Sequence, residues 1–337
     1  MVNSNKMDTR DSSATPQTLQ QWVDRLPDLA TPVWLRGGNL QTLYAKVLQE
    51  PPPAYRRELL PDSSGEEQVA YDFLDAADRN APLLVLFHGL EGGSDSHYAV
   101  ELMRAAARQG WHGVVAHFRS CGGVPSKRMY HSGDTPEVAH MLGLLSARYA
   151  EIYAVGVSLG GNVLLKYLGE QGRQGREVPL RGAAAVSAPV DLPAAGETLS
   201  QGWPRLLYTR YFLDSLLPKV PPKPGLVLRS LADFDNAYTA PLNGFADKDD
   251  YYRQASSKPY LPDIALPTLL LNARNDPFLP GRFLPSRHEV SPQVYLLQPS
   301  QGGHVGFVSG AGRGHLRWMP QTVLSFFQGV RSAGAGK

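Results

Sequence analysis

The segment Gly156-Val157-Ser158-Leu159-Gly160 holds the side chain best placed for nucleophilic chemistry. It closes the apolar run Ile152-Tyr153-Ala154-Val155 and is followed at once by a helix-forming stretch, Asn162 to Leu168. G-x-S-x-G between a buried strand and a helix is the context of a nucleophile elbow, a turn so sharp that the serine takes a strained backbone conformation. The flanking glycines fit that turn because a Cβ on either side collides with the neighbouring strand or helix. The bland alternative is a glycine-rich strand-to-helix turn holding an inert serine.

A serine hydroxyl is a weak nucleophile at neutral pH, so it needs a base to take its proton and a third group to orient the base. Where an elbow carries the serine, these partners follow in the order Ser, acid, His, each on a loop after a later strand. Here Thr268-Leu269-Leu270-Leu271 ends in Asn272-Ala273-Arg274-Asn275-Asp276-Pro277, and Val294-Tyr295-Leu296-Leu297 leads to Gly302-Gly303-His304-Val305-Gly306. The expected set is therefore Ser158 as nucleophile, Asp276 as orienting acid and His304 as general base, then acid. Asp263 and His315 are the rivals. Asp263 precedes its strand, and His315 lies in a Gly-Arg-rich stretch beyond the loop.

Backbone N–H groups should bind a developing oxyanion. One belongs to Leu159, directly after the serine. The other should come from His88-Gly89-Leu90, after the apolar strand Pro82 to Phe87. Leu90 N–H is expected there, because the glycines around it let backbone approach a substrate.

The elements that must hold these loops alternate as a mostly parallel sheet with helices on both faces, an α/β class. Arg56-Arg57-Glu58-Leu59-Leu60 and the run from Gln68 read as early strands. A helix is expected from a Ser96 cap to Arg108, with Gly110 as its stop, and another from an Asp134 cap. From residue 191 to 263 the rhythm breaks, with prolines at 204, 218, 221, 222, 224 and 241 and dense aromatics. That stretch reads as an inserted helical lid between core parts at 18–190 and 264–332, after a disordered tail over 1–17. Trp203, Tyr211 and Phe212 are expected to roof an acyl pocket, unless they pack only a small core of the insertion itself.

Composition excludes several classes. The chain has 337 residues, a formal net charge of +2 and 42% hydrophobic residues, an ordinary globular balance with no basic footprint for nucleic acid. One cysteine, Cys121, excludes an intrachain disulfide and fits a reducing compartment. No apolar run reaches the roughly 20 residues needed to span a bilayer, and the polar N-terminus does not read as a signal peptide, so a cytoplasmic protein is expected. His88, His97, His112, His117 and His131 are not joined at ligand spacing, so no metal is expected. The run Asp247-Lys248-Asp249-Asp250 lacks the glycine and terminal Glu of a calcium loop. Neither G-x-G-x-x-G after the first strand nor a P-loop lysine is present, so no nucleotide cofactor is expected.

Segments beyond the elbow carry a family resemblance. Pro32-Val33-Trp34-Leu35-Arg36-Gly37-Gly38-Asn39-Leu40-Gln41-Thr42, HGLEGGSDSHY from His88, HFRSCGG from His117, YHSGDT from Tyr130, and Tyr238 to Phe245 with DYYRQAS resemble the YheT-like branch of the α/β-hydrolases. That branch includes plant embryogenesis-associated proteins and eukaryotic abhydrolase-domain lipases and esterases. The resemblance spans roughly residues 30 to 330. It implies a serine hydrolase using Ser158, Asp276 and His304, acting on a small-molecule or lipid ester through an acyl-enzyme, without fixing the substrate. The order Arg119-Ser120-Cys121-Gly122-Gly123 departs from the arginine-glycine-cysteine order common in the branch. Two other outcomes stay open: acyl transfer to an alcohol, and ligand binding without turnover. None of the nine histidines has Asp five positions on, so the H-x4-D motif associated with glycerolipid acyltransferases is absent.

Overall fold

In the computed structural model of the protein, residues 18–334 are described; the tail expected over residues 1–17 lies outside them. Eight strands form one sheet: β1 (Arg56–Pro61), β2 (Gln68–Leu74), β3 (Leu83–Phe87), β4 (His112–Ala116), β5 (Ile152–Val157), β6 (Gly182–Val186), β7 (Thr268–Leu271) and β8 (Val294–Leu297). Their order is β1-β2-β4-β3-β5-β6-β7-β8. The β1–β2 and β2–β4 pairs are antiparallel, and all pairs from β4 to β8 are parallel. Parallel strands buried on both faces explain why β3 reads as an unbroken apolar run.

Alternation along β3 sends Leu83, Val85 and Phe87 to one face and Leu84 and Leu86 to the other. Helices α4 (Thr135–Ser146) and α5 (Leu159–Arg173) pack on the first face. Helices α3 (His97–Arg108) and α11 (Trp318–Gly334) pack on the second, beside the short N-terminal α1 (Leu19–Asp24). Full burial of one such Leu or Phe contributes about 1.5–3 kcal/mol, so the two apolar layers fix the sheet between them.

No strand occurs between β6 and β7 among the described residues. That stretch holds α6 (Leu192–Leu199), α7 (Gly202–Leu216), α8 (Leu231–Phe234), a π-helical turn at Asp235–Thr239, α9 (Ala240–Leu242) and α10 (Lys248–Ala255). It is a helical insertion. Tyr208, Phe212, Phe234 and Tyr238 join the large core cluster on the first face of the sheet, whereas Tyr251 and Tyr252 pack in a small cluster with Leu192 and Ala255.

Two expected helix caps act differently. Ser96 stands at the N-cap of α3, but its hydroxyl accepts the N–H of Gly93, within the preceding loop. Asp134 stands at the N-cap of α4 without bonding a helix N–H. Its carboxylate meets the buried Arg119 guanidinium at 2.6 Å, which also holds Asp62 at 2.7 Å and Glu137. A buried guanidinium competes more strongly for a carboxylate than a backbone amide does.

Register places the site. Phe87 pairs with Gly156, Val157 with Val186, Val186 with Leu271 and Leu271 with Leu297. Strands β3, β5, β6, β7 and β8 therefore end together. The loops bearing Leu90, Ser158, Asp276 and His304 all leave this carboxyl edge, beside the β3–β5 switch point where open α/β sheets bind ligands.

Candidate active site

Ser158 sits between β5 and α5 with φ 53° and ψ −119°. A non-glycine residue at positive φ costs about 1–3 kcal/mol and persists only where its surroundings hold it. The Ser158 N–H donates to Val186 O at 2.8 Å, tying the turn to β6. A Cβ on Gly156 would stand 2.3 Å from Gly160 O, and one on Gly160 would stand 2.2 Å from Phe87 O. Both flanking glycines are thus required by close backbone approach.

The structure brings the three sequence-derived side chains together. Ser158 Oγ lies 2.9 Å from His304 Nε2. His304 Nδ1 lies 2.9 Å from Asp276 Oδ2 and 3.2 Å from Oδ1. With the hydroxyl donating to Nε2, Nδ1 carries the proton and donates to Asp276; the network assigns this tautomer. Asp276 Oδ1 also accepts the N–H of Phe278 at 2.8 Å. The Phe278 ring stacks on the imidazole, with centroids 3.8 Å apart and planes at 12°. Asp276 is buried and His304 nearly so, which keeps this chain of hydrogen bonds out of bulk water. The rivals lie apart. Asp263 pairs with Arg173 on the surface, and His315 joins Ser309 in a separate loop bridge.

Leu159 is the first residue of α5, so its N–H has no partner within the helix. Leu90 N–H likewise donates to no protein group among the described residues, while its neighbours are committed. Gly89 N–H goes to Tyr98 OH, Glu91 N–H to Tyr130 OH, and Gly92 N–H to Gly89 O. His88 is fully buried. Its Nε2 accepts Phe118 N–H at 3.1 Å, so Nδ1 holds the proton and donates to Gly89 O at 2.7 Å. Burial, then the neighbouring His117, pushes its pKa down to about 3. Glu91, at φ 54°, is gripped by Tyr130, by Ser215 of α7 and by Lys219 at 2.7 Å.

A cavity of about 450 Å³ opens over Ser158. Leu90, Leu159 and His304 line it, with Leu192, Leu199, Tyr211, Phe212, Leu231 and Phe278 among its apolar walls. Phe212 is buried; Tyr211 is half exposed and lies under the Lys46 ammonium at 3.7 Å. The side chain of Trp203 lies outside the described residues. Asp235, Tyr251 and Tyr252 supply a polar patch to the wall. Among the described residues, no three His, Cys, Asp or Glu side chains gather as metal ligands.

Sequence reasoning gave no function to helix α2 (Gly38–Val47), yet it clamps both partner loops. Gln41 is fully buried. Its Oε1 accepts from Asn275 Nδ2 and Gly302 N–H, and its Nε2 donates to Leu35 O and to Gln301. Thr42 Oγ1 donates to Gly38 O and accepts His304 N–H. Close packing made this region readable only as a motif: a Cβ on Gly38 would meet Asn275 O at 1.8 Å, and one on Gly303 would meet Gly38 O at 2.6 Å.

A family model described as the alpha/beta hydrolase fold matches residues 82–217. YheT of Escherichia coli K12 is 38% identical over 292 residues, covering 81% of this chain and 84% of that protein. The chain belongs to the YheT-like branch of the α/β-hydrolase family. Within the same superfamily, human Phospholipase ABHD3 is 29% identical, covering 88% of this chain and 78% of its own. Among solved structures, the Pyrococcus furiosus esterase Pf2001 superposes with a TM-score of 0.55 at 14% identity, over 89% of this chain and 98% of that one. At that identity the likeness concerns the fold, including the mostly parallel sheet. No helix among the described residues is long and apolar enough to cross a membrane.

Proposed function

We propose that this protein hydrolyses carboxylic esters through an acyl-enzyme on Ser158. The observation that carries the reading is the continuous Ser158–His304–Asp276 hydrogen-bond chain, at 2.9 Å for each link, on the floor of a largely apolar cavity. The names of relatives, a phospholipase among them, support the ester as the substrate class.

In this reading His304 Nε2 takes the Ser158 proton as Oγ attacks the ester carbonyl. Asp276 holds the tautomer and stabilises the imidazolium without itself becoming protonated. The free N–H groups of Leu159 and Leu90 receive the oxyanion; one such donor is worth about 2.7–4 kcal/mol of barrier. His304 then protonates the leaving alkoxide, and water, activated by the same imidazole, releases the acid. Apolar walls with few polar groups suit an acyl chain. The segment 191–263 acts as the lid over that chain, with Tyr211 and Phe212 among its contacts.

Labelling with a fluorophosphonate tests the nucleophile. Wild type should react and Ser158→Ala should not; equal labelling of both sinks the proposal. Turnover of an ester panel, with added alcohols as competing acceptors, separates hydrolysis from acyl transfer. His304→Ala should lose turnover and His315→Ala should retain it.

A further inference from the structure

The signature around α2 leaves an apolar surface that neither the core nor the relay uses. Val33 is 77% exposed and Val47 70%, and Trp34, Leu40 and Leu43 each expose at least 40% of their surface. Leu40, Leu43 and Val47 follow at i, i+3 and i+7, so they form one stripe along the helix. The partly buried Tyr44 lies in the same stripe, and Trp34 packs edge-on against it with centroids 4.9 Å apart. This surface is fixed in place. Trp34 Nε1 donates to Gly312 O at 2.8 Å and Tyr44 OH to Arg313 O at 3.2 Å, joining α2 to the loop 309–317.

Two further features say what the surface meets. Its inner edge is the mouth of the cavity: Leu43 and Lys46 line the cavity, and Lys46 caps the Tyr211 ring of α7. Its charge is mostly basic, although Asp28 and Glu50 flank the first segment, Glu50 paired with Arg104, and Asp95 shares the cavity lining. Residues 29–49 carry Arg36 and Lys46, and residues 309–317 carry Arg313 and Arg317; neither segment has a carboxylate. All four basic side chains are exposed. Exposed Trp, Leu and Val ringed by Lys and Arg is the composition that seats a surface element at the headgroup–acyl boundary of an anionic bilayer. A soluble partner with an acidic rim would leave unexplained why the apolar stripe runs into a largely apolar cavity.

We propose that this face docks the protein on an anionic lipid surface, with the cavity mouth turned toward the bilayer. An acyl ester then enters past Leu43 and Tyr211 without crossing water. The inference rests on the ester-hydrolase reading for its biological sense, but its test does not need turnover.

The test uses full-length Ser158→Ala protein, sedimented with vesicles of phosphatidylglycerol mixed with phosphatidylcholine and with vesicles of phosphatidylcholine alone. Binding to the mixed vesicles is expected, weakening as salt is raised. The triple variant Val33→Ser, Leu40→Ser, Val47→Ser should bind about a hundredfold more weakly, from lost apolar burial. Arg36→Gln with Arg313→Gln should weaken binding by about tenfold or more and flatten the salt dependence. In the background with Ser158 intact, the triple variant should keep its melting temperature and its fluorophosphonate labelling. Failure of Ser158→Ala to bind mixed vesicles at low salt overturns the proposal, as does unchanged binding by the triple variant. Concentration-dependent dimerisation abolished by the triple variant, without vesicle binding, would assign the face to a second copy and overturn it too. Failure of the hydrolase reading would show separately, as absence of Ser158-dependent labelling.

Discussion

Thr42 Oγ1 accepts the backbone N–H of His304 at 2.8 Å, across 262 residues of chain. The same hydroxyl donates to Gly38 O at 2.7 Å, so its direction is set. The imidazole is therefore aimed from three sides: Thr42 holds its backbone, Asp276 holds Nδ1 and Phe278 holds its face. Thr42→Val keeps the shape and removes both the acceptor for His304 N–H and the donor to Gly38 O. A misplacement of about 1 Å at a reacting group can cost about a hundredfold in rate, so kcat should fall about ten- to a hundredfold with KM little changed. Thr42→Ser should restore it. If kcat holds while the melting temperature drops, Thr42 stabilises the fold without positioning the base.

His88 gives a second positioning test. Gly89 C=O and Leu90 N–H are opposite ends of one planar trans peptide. The His88 Nδ1–H bond to Gly89 O thereby fixes the direction of the Leu90 N–H. His88→Leu should lose a large part of what one oxyanion donor contributes, about 10²–10³ in kcat. The expected signature is a kcat loss shared by short and long esters, with KM retained. A loss confined to KM would show that the peptide does not turn.

The elbow, the acid loop and the base loop were legible because each lies within a few residues of its own strand. Gly156 and Gly160 announce the turn, and the apolar runs before Asp276 and His304 announce strands that end at the same sheet edge. Gln41 and Thr42 were visible only as part of a motif, since the loops they clamp, at Asn275 and His304, lie more than 230 residues away. Asp134 read as a cap because local sequence carries no sign that Arg119 would be buried beside it. No positioning role for His88 was legible for the same reason: its ring is held between Gly89 O and Phe118 N–H only when β3 and β4 pair.

His88 also sets a pH dependence of stability. Its folded pKa, about 3, lies below the ordinary value of 6.5, because burial disfavours the charged ring. The unfolded chain therefore binds the proton first as pH falls. The contribution is fully present above about pH 6.5, and is lost progressively between there and about pH 3, at up to about 1.36 kcal/mol per pH unit. His97 is pushed the same way, to about 4, by burial. Melting temperatures of wild type should drop across this window. In His88→Asn the drop should be shallower, and an unchanged slope would count against the assignment.

Cys121 is buried and its thiol is pushed up to about 12, chiefly by loss of hydration. The thiolate is the reactive form, so the native protein should resist a thiol-specific reagent at pH 8 and take up one equivalent only when unfolded. Modification of the folded protein at the rate of a free thiol would show that the segment after β4 opens readily.

Phe212 and Phe278 separate acyl-chain selection from orientation of the base. Both line the cavity, with centroids 6.2 Å apart and planes at 77°. Only Phe278 stacks on His304. Phe212 stands in α7 and joins the apolar cluster beneath the insertion, so changing its size changes the room left for a chain. Phe212→Trp should shift the preference among p-nitrophenyl esters toward shorter acyl groups, and Phe212→Leu toward longer ones, each with kcat on a short ester retained within a few-fold. Phe278→Leu should instead lower kcat at every chain length, because the imidazole loses its stacking face while the cavity keeps its volume at α7. A common loss at all lengths for Phe212→Trp, or a shift in length preference for Phe278→Leu, would reverse these assignments.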